Sequence, residues 1–250
     1  MIRVLLIIFI SMSLKANLLE RDDVKKFIDL AVEESNLTRE EIIDYIKDAQ
    51  PSPKAVELRS NQPEVKATWD DYRSKRVTDT RILNGVNFIN ENADIFNKVE
   101  KDYGVSKFYI ASIIGLETNY GGYLGSFNPL DTIFTRAFDP DSKFWQRELI
   151  ALLVLSKRYG LNPKEIKSSW SGAIGLGQFI PSSYNAYGVD YDYDGYVDLL
   201  NSKMDGIASV ANFLKVHGWN SNQPAAAQVA LSQEYLSLIH ISEPTRRAII

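Results

Sequence analysis

The chain of 250 residues is long enough for one large domain or two small ones, and its composition, 45% hydrophobic and 24% charged, is that of a globular protein. A formal net charge of −4 supplies no broad basic field, so no nucleic-acid partner is expected and any polymer must be gripped locally. The lack of cysteine excludes disulfides, thiolate metal sites and a lipidated N-terminal Cys, so the protein does not read as a lipoprotein.

Residues 1–16 read as a secretory signal: Arg3 is the positive end, Val4 to Leu14 is an apolar run too short to span a bilayer, and Ala16 is a cleavage point. Leu14 fits a small-x-small cleavage site poorly, so an uncleaved membrane anchor is the alternative. Either way, the expected location is the periplasm or cell envelope. Residues 17–63 read as a small N-terminal helical unit. Asp22 to Leu37 sets Val24, Phe27, Ile28 and Ala31 on one helical side. Thr38 and Glu41 form a capping box leading into Ile42, Ile43 and Ile46, and Pro51 and Pro53 are expected to stop that helix.

Helical spacing resumes from Glu64 through WDDYRSKRV, and again from Arg81 to Gly104. Trp69 and Tyr72 share a face, either as core aromatics or as a surface that stacks on sugar rings. In Ser106 to Gly122, capped by Ser106 and ended by Gly121 and Gly122, Glu117 falls on the stripe of Ile110, Ile113 and Ile114. A carboxyl held there is desolvated, which raises its pKa toward neutrality as a general acid requires. The alternative is a structural Glu paired with Arg or Lys. Phe144 to Tyr159 reads as a core helix. No long alternating strand pattern appears, so the fold class is mainly α.

Two further blocks carry chemistry. Residues 168–187, SSWSGAIGLGQFIPSSYNAY, hold Gly172, Gly175 and Gly177, which allow close backbone approach; with no Gly-Lys-Ser/Thr there is no phosphate cradle. Gln178 reads either as a packing hydrogen bond or as a contact to an uncharged ligand such as a sugar. Residues 190–201, DYDYDGYVDLLN, match the calcium loop of an EF-hand. Asp190, Asp192 and Asp194 stand at positions 1, 3 and 5, Gly195 at 6, the Tyr196 carbonyl at 7, Asp198 at 9, and Asn201 replaces the bidentate Glu at 12. Weakly held structural calcium is expected and no organic cofactor; a solvated acidic turn is the alternative.

Together these blocks resemble a known family, the lytic murein transglycosylases of the membrane-bound lytic transglycosylase B type. The resemblance spans Trp69 to Trp219 and rests on five ordered motifs: WDDYR, IIGLETNYG, SGAIGLGQFIPSSY, DYDYDGYVDL and SVANFLKVHGW. It implies a lysozyme-like catalytic domain with an inserted EF-hand-type loop, acting on peptidoglycan glycan strands. Glu117 then matches the single catalytic acid/base, Ser169 and Gln178 match cleft-lining positions, and Tyr72 matches a substrate-contacting tyrosine. The implied reaction cleaves the MurNAc-GlcNAc bond and leaves a 1,6-anhydro sugar, unlike the two-carboxylate glycosidases. A hydrolytic muramidase using a second carboxylate (Asp131, Asp139 or Glu148) and a non-catalytic calcium-dependent peptidoglycan-binding module are the alternatives.

The family pattern has a cleft Tyr where this chain has Phe213, and its catalytic domain continues well past the position of Trp219. The domain is therefore expected over residues 64–235, C-terminally truncated. Leu236 to Arg246, LSLIHISEPTR, resembles one translated frame of a sequencing-library adapter, so residues 236–250 are expected to be an artefact.

Overall fold

The structure, a computed structural model, describes residues 18–60, 68–138 and 142–224. The signal-like residues 1–16, Asp139 and the adapter-like residues 236–250 lie outside them. The described residues up to Trp219 form one compact unit. Asn220 begins a second, whose described part is a turn in which the Gln223 N–H donates to the Asn220 carbonyl.

Among the described residues the fold is mainly α, with isolated bridges and no strand. Helix α1 (Asp22–Glu34) buries Val24, Phe27, Ile28 and Ala31, the side its sequence marks. Helix α2 (Arg39–Ile46) opens on the expected capping box: Thr38 Oγ1 accepts from the Glu41 N–H at 3.2 Å, and Glu41 Oε2 accepts from the Thr38 N–H at 2.8 Å. Pro53 does not simply end this region. It opens α3 (Pro53–Ser60), because its fixed φ suits a first helical turn and its missing N–H is not needed there.

Helix α4 (Trp69–Arg76) buries no residue. The helical stretch expected over Arg81 to Gly104 forms as two helices, α5 (Asp79–Glu91) and α6 (Ala93–Tyr103). Buried Asn92 divides them; its side-chain amide donates to the Phe88 carbonyl at 2.7 Å and competes with the backbone ladder. Helix α7 (Lys107–Thr118) carries Glu117, and α8 (Pro129–Ala137) starts at Asn128, whose Oδ1 accepts from the Asp131 N–H at 2.8 Å.

The apolar centre is α9 (Lys143–Tyr159), where Leu149, Leu152, Leu153 and Leu155 are fully buried. Each such side chain contributes about 1.5–3 kcal/mol. Helices α10 (Pro181–Tyr187) and α11 (Lys203–Val216) complete the set. One continuous cluster takes in Phe27 and Ile42 from the first two helices together with Ile110, Leu152 and Ile207.

Candidate active site and acidic loop

Glu117 sits in the last turn of α7, and the structure corrects the burial expected of it. Ile110 and Ile114 are fully buried, Ile113 is half-buried, and Glu117 is exposed. The buried face of the helix is Ile110, Ala111, Ile114, Gly115 and Thr118, and Glu117 lies with Ile113 on the flank of that face, rotated away from the core around the helix axis. Solvent reaches Glu117, yet the surrounding protein crowds it enough that desolvation raises its carboxyl above the ordinary range, with the Arg76 charge pulling the other way.

The chain then reverses through three left-handed residues, Asn119, Tyr120 and Gly121, with φ of 50°, 62° and 85°. Such backbone persists in non-glycine residues only when its surroundings over-determine it. The Tyr120 hydroxyl donates to the Arg81 carbonyl at 2.9 Å, and its ring fills the space over Gly85 and Gly115, where an added Cβ would stand 2.6 Å from that hydroxyl. Thr118 Oγ1 accepts from the Gly121 N–H at 3.1 Å and donates to the Leu176 carbonyl at 2.9 Å. The turn after Glu117 is thereby fastened to α5 on one side and to the glycine-rich strip on the other.

That strip carries Ser169 and Gln178. Ser168 and Phe127 exchange backbone hydrogen bonds at 2.8 and 3.1 Å, and Gly125, at φ 101°, lies so near that a Cβ would meet the Ser168 carbonyl oxygen at 1.9 Å. Ser169 Oγ accepts from the N–H groups of Ser171 and Ala173 at 3.2 and 3.1 Å, so the hydroxyl holds its own turn. Gln178 is left-handed at φ 52°, and its Nε2 donates to the Gly175 carbonyl at 2.9 Å, which leaves the amide oxygen as its remaining acceptor. Tyr72 lies on α4 with the Arg76 guanidinium over its ring at 5.5 Å. Among the described residues the positive-φ non-glycines are Asn119, Tyr120, Gln178 and Tyr193, and all belong to these turns or to the acidic loop. Sequence reading missed this strain, for which Tyr and Gln give no signal.

Two of the alternative acids are engaged elsewhere. Buried Glu148 accepts from the Ser182 N–H at 3.0 Å and the Ser182 hydroxyl at 2.6 Å, capping α10, although burial still raises its carboxyl. Asp131 accepts from the Gln50 N–H at 2.8 Å and pairs with Lys164 at 3.2 Å. A polar hollow of about 680 Å³ lined by Asp44, Lys47, Gly160 and Lys164 lies apart from Glu117. Among the described residues, desolvation raises the carboxyls of Glu117, Glu148 and Asp205, and of these Glu117 alone has no hydrogen bond to its oxygens.

In the acidic loop, Asp190, Asp192 and Asp194 bring carboxylate oxygens within 4.8 Å of one another. They also bind their own backbone: Asp190 accepts from the Gly195 N–H at 3.0 Å and Asp194 from the Tyr196 N–H at 2.8 Å. Asp198 and Asn201 turn toward each other instead, with Asn201 Nδ2 3.0 Å from Asp198 Oδ2. The sequence reading missed Asp205. Fully buried, it accepts from the Tyr191 N–H and the Asp198 N–H, both at 2.8 Å, and so pins the loop at both ends. Its signal was Ser202 with an acid three residues on, a helix start whose burial only tertiary structure reveals. Three convergent carboxylates are a donor set that suits a hard cation such as calcium.

A family model described as the transglycosylase SLT domain matches residues 20–248. The chain belongs to this family. It is 33% identical over 208 residues to the membrane-bound lytic murein transglycosylase B of Escherichia coli K12, a match covering 79% of this chain and 57% of that protein, so it spans little more than half of that relative. The fold is that of the lysozyme-like transglycosylase structures. The Escherichia coli lytic transglycosylase SLT35 in complex with calcium superposes with a TM-score of 0.74 at 33% identity, over 81% of this chain and 65% of that one. SltB3 from Pseudomonas aeruginosa in complex with NAG-NAM-pentapeptide gives a TM-score of 0.74 at 30% identity, over 80% and 54%.

Proposed function

We propose that this chain is a lytic transglycosylase that cleaves the MurNAc-GlcNAc bond of peptidoglycan, with Glu117 as its single acid/base. One observation carries the reading: Glu117 is the described carboxyl that is desolvated, open to solvent and unbonded, while Glu148 and Asp205 spend their oxygens on structure. Protonated Glu117 donates to the glycosidic oxygen as the bond to C1 breaks. The resulting carboxylate takes the proton of the muramoyl C6 hydroxyl as that oxygen bonds to C1, which closes the 1,6-anhydro ring and restores the acid. The 2-acetamido group of the sugar stabilises the cationic centre between the two events. Because an internal hydroxyl replaces water, no second carboxylate is needed, in contrast to the paired-acid scheme. Tyr72, Ser169 and Gln178 line the cleft, the Gln178 amide oxygen accepting from a sugar hydroxyl or amide.

The acidic loop is read as a calcium clip. Asp190, Asp192 and Asp194 would hold the ion with the Tyr196 carbonyl, and Asp198 and Asn201 would have to part to join them. Its role is support for the glycine-rich strip, because the Leu176 N–H donates to the Leu199 carbonyl at 3.0 Å at the end of the loop. Residues 1–16 act as the export signal, and the site of action is the cell envelope. The test is to digest purified sacculi with the full chain and resolve the products by mass spectrometry. Anhydro-muramoyl ends are expected; reducing ends in their place indicate a muramidase, and the absence of soluble fragments rejects an enzyme.

A further inference from the structure

Helix α4 buries no residue, yet it is ordered on one face. Trp69, Tyr72, Arg73 and Arg76 stand at i, i+3, i+4 and i+7. The Trp69 and Tyr72 rings stack with centroids 6.1 Å apart and planes 22° from parallel, and the Arg76 guanidinium lies over Tyr72. In a core-forming helix these positions carry side chains that vanish into the interior; here Trp69 keeps 69% of its surface exposed. The face is aromatic at its N-terminal end and cationic at its C-terminal end, where Lys75 joins Arg73 and Arg76, in a chain of net charge −4. Arg76 lies over the ring of Tyr72, a proposed cleft residue, and its charge also acts on Glu117.

We infer that Arg76, with Arg73 beside it, is a specificity-determining residue that takes carboxylates of the peptide stem carried by the muramoyl sugar at the scissile bond. The inference rests on the proposed function and names the part of the substrate that the α4 face recognises. Hydroxyls and acetamido groups call for no cation, whereas the planar guanidinium fork matches a carboxylate with two parallel hydrogen bonds. A guanidinium already laid on an aromatic ring loses less freedom on binding than a loose one. The same helix then offers ring faces to the glycan and cations to its acidic branch.

The test uses binding, so that it does not depend on turnover. The Glu117→Gln protein is titrated calorimetrically with GlcNAc-MurNAc-pentapeptide and with GlcNAc-MurNAc whose lactyl acid is capped as the N-methylamide. The acidic ligand should bind at least about tenfold tighter, a ratio that shrinks as salt rises. Adding Arg76→Gln should bring the ratio close to one, and Arg76→Lys, which keeps the charge and loses the fork, should retain part of it. Equal affinities for the two ligands in the Glu117→Gln protein overturn the inference, as does an equal loss for both ligands in the Arg76→Gln variant. Failure of the wild-type chain to make anhydro ends rejects the lytic reading instead, and the affinity ratio still decides the role of Arg76.

Discussion

The turn that follows Glu117 and the loop from Asp190 to Asn201 place carboxyl groups by opposite means. Around Glu117 the fastening is done by neighbours: Tyr120 reaches Arg81, Thr118 reaches Leu176, and the acid keeps its oxygens unbonded. In the loop the carboxylates are themselves the fasteners, accepting from Gly195, Tyr196, Leu200 and Asn201. The difference teaches how to read a carboxyl. One relieved of structural work can be desolvated and kept ready to exchange a proton, whereas one that closes its own turn is fixed in place with lone pairs left to offer a cation.

If that contrast is right, the largest effect belongs to Glu117→Gln. Release of anhydro-muropeptides should fall by at least about a thousandfold, some 4 kcal/mol of barrier, with secondary structure kept. The same variant reveals the sign of the proton linkage. Desolvation by the surrounding protein raises the folded carboxyl of Glu117, so above the ordinary carboxyl range the folded state binds more protons than the unfolded one, and stability falls as pH rises through the raised value. Glu117→Gln should therefore match or exceed the wild-type melting temperature at neutral pH and converge with it in acid. A variant less stable at neutral pH than in acid relative to wild type would show that Glu117 holds the fold together.

Next comes the seam between the turn and the strip. Gly125→Ala places a methyl group 1.9 Å from the Ser168 carbonyl oxygen at a φ of 101°, so backbone has to move. Urea titration should record a loss of more than about 2 kcal/mol. A loss under half of that would mean the seam is loose and Ser169 is not held by it.

The loop should respond to cation. Calcium at a hundred times its dissociation constant should stabilise the fold by about 2.7 kcal/mol, and Asp192→Ala should abolish most of the shift, with a smaller drop in the calcium-free melting point from the lost acceptor of the Ser202 hydroxyl. A melting point indifferent to both calcium and chelator would make the loop a solvated turn. The smallest effect is expected for Tyr120→Phe, which keeps the ring over Gly85 and Gly115 and deletes one hydrogen bond. It should cost about 1 kcal/mol by denaturant titration, with a larger relative loss in turnover if the turn aims Glu117.

Much of this molecule can be read from residue order alone, because the signals are local. The Thr38 capping box, the apolar sides of α1 and α9, the glycines that allow reversals, and the alternating Asp residues at 190, 192 and 194 act within a few positions of one another. Family membership is equally a matter of ordered local motifs. What tertiary structure decided was where those local features end up. Glu117 continues the isoleucine stripe by count but stands on its flank, since the core covers the face of Ile110, Ala111, Ile114, Gly115 and Thr118 and leaves Ile113 and Glu117 at its edge. Pro53 opens a helix, and Asn92 divides one. Glu148 and Asp205 sit in sequence like ordinary helical acids, and only the approach of Ser182 from a distant segment, and the folding back of Tyr191 and Asp198 in the preceding loop, turn them into buried anchors. Pairings across such sequence distances depend on which surfaces the core brings together, a property of the whole chain that no short window of residues contains.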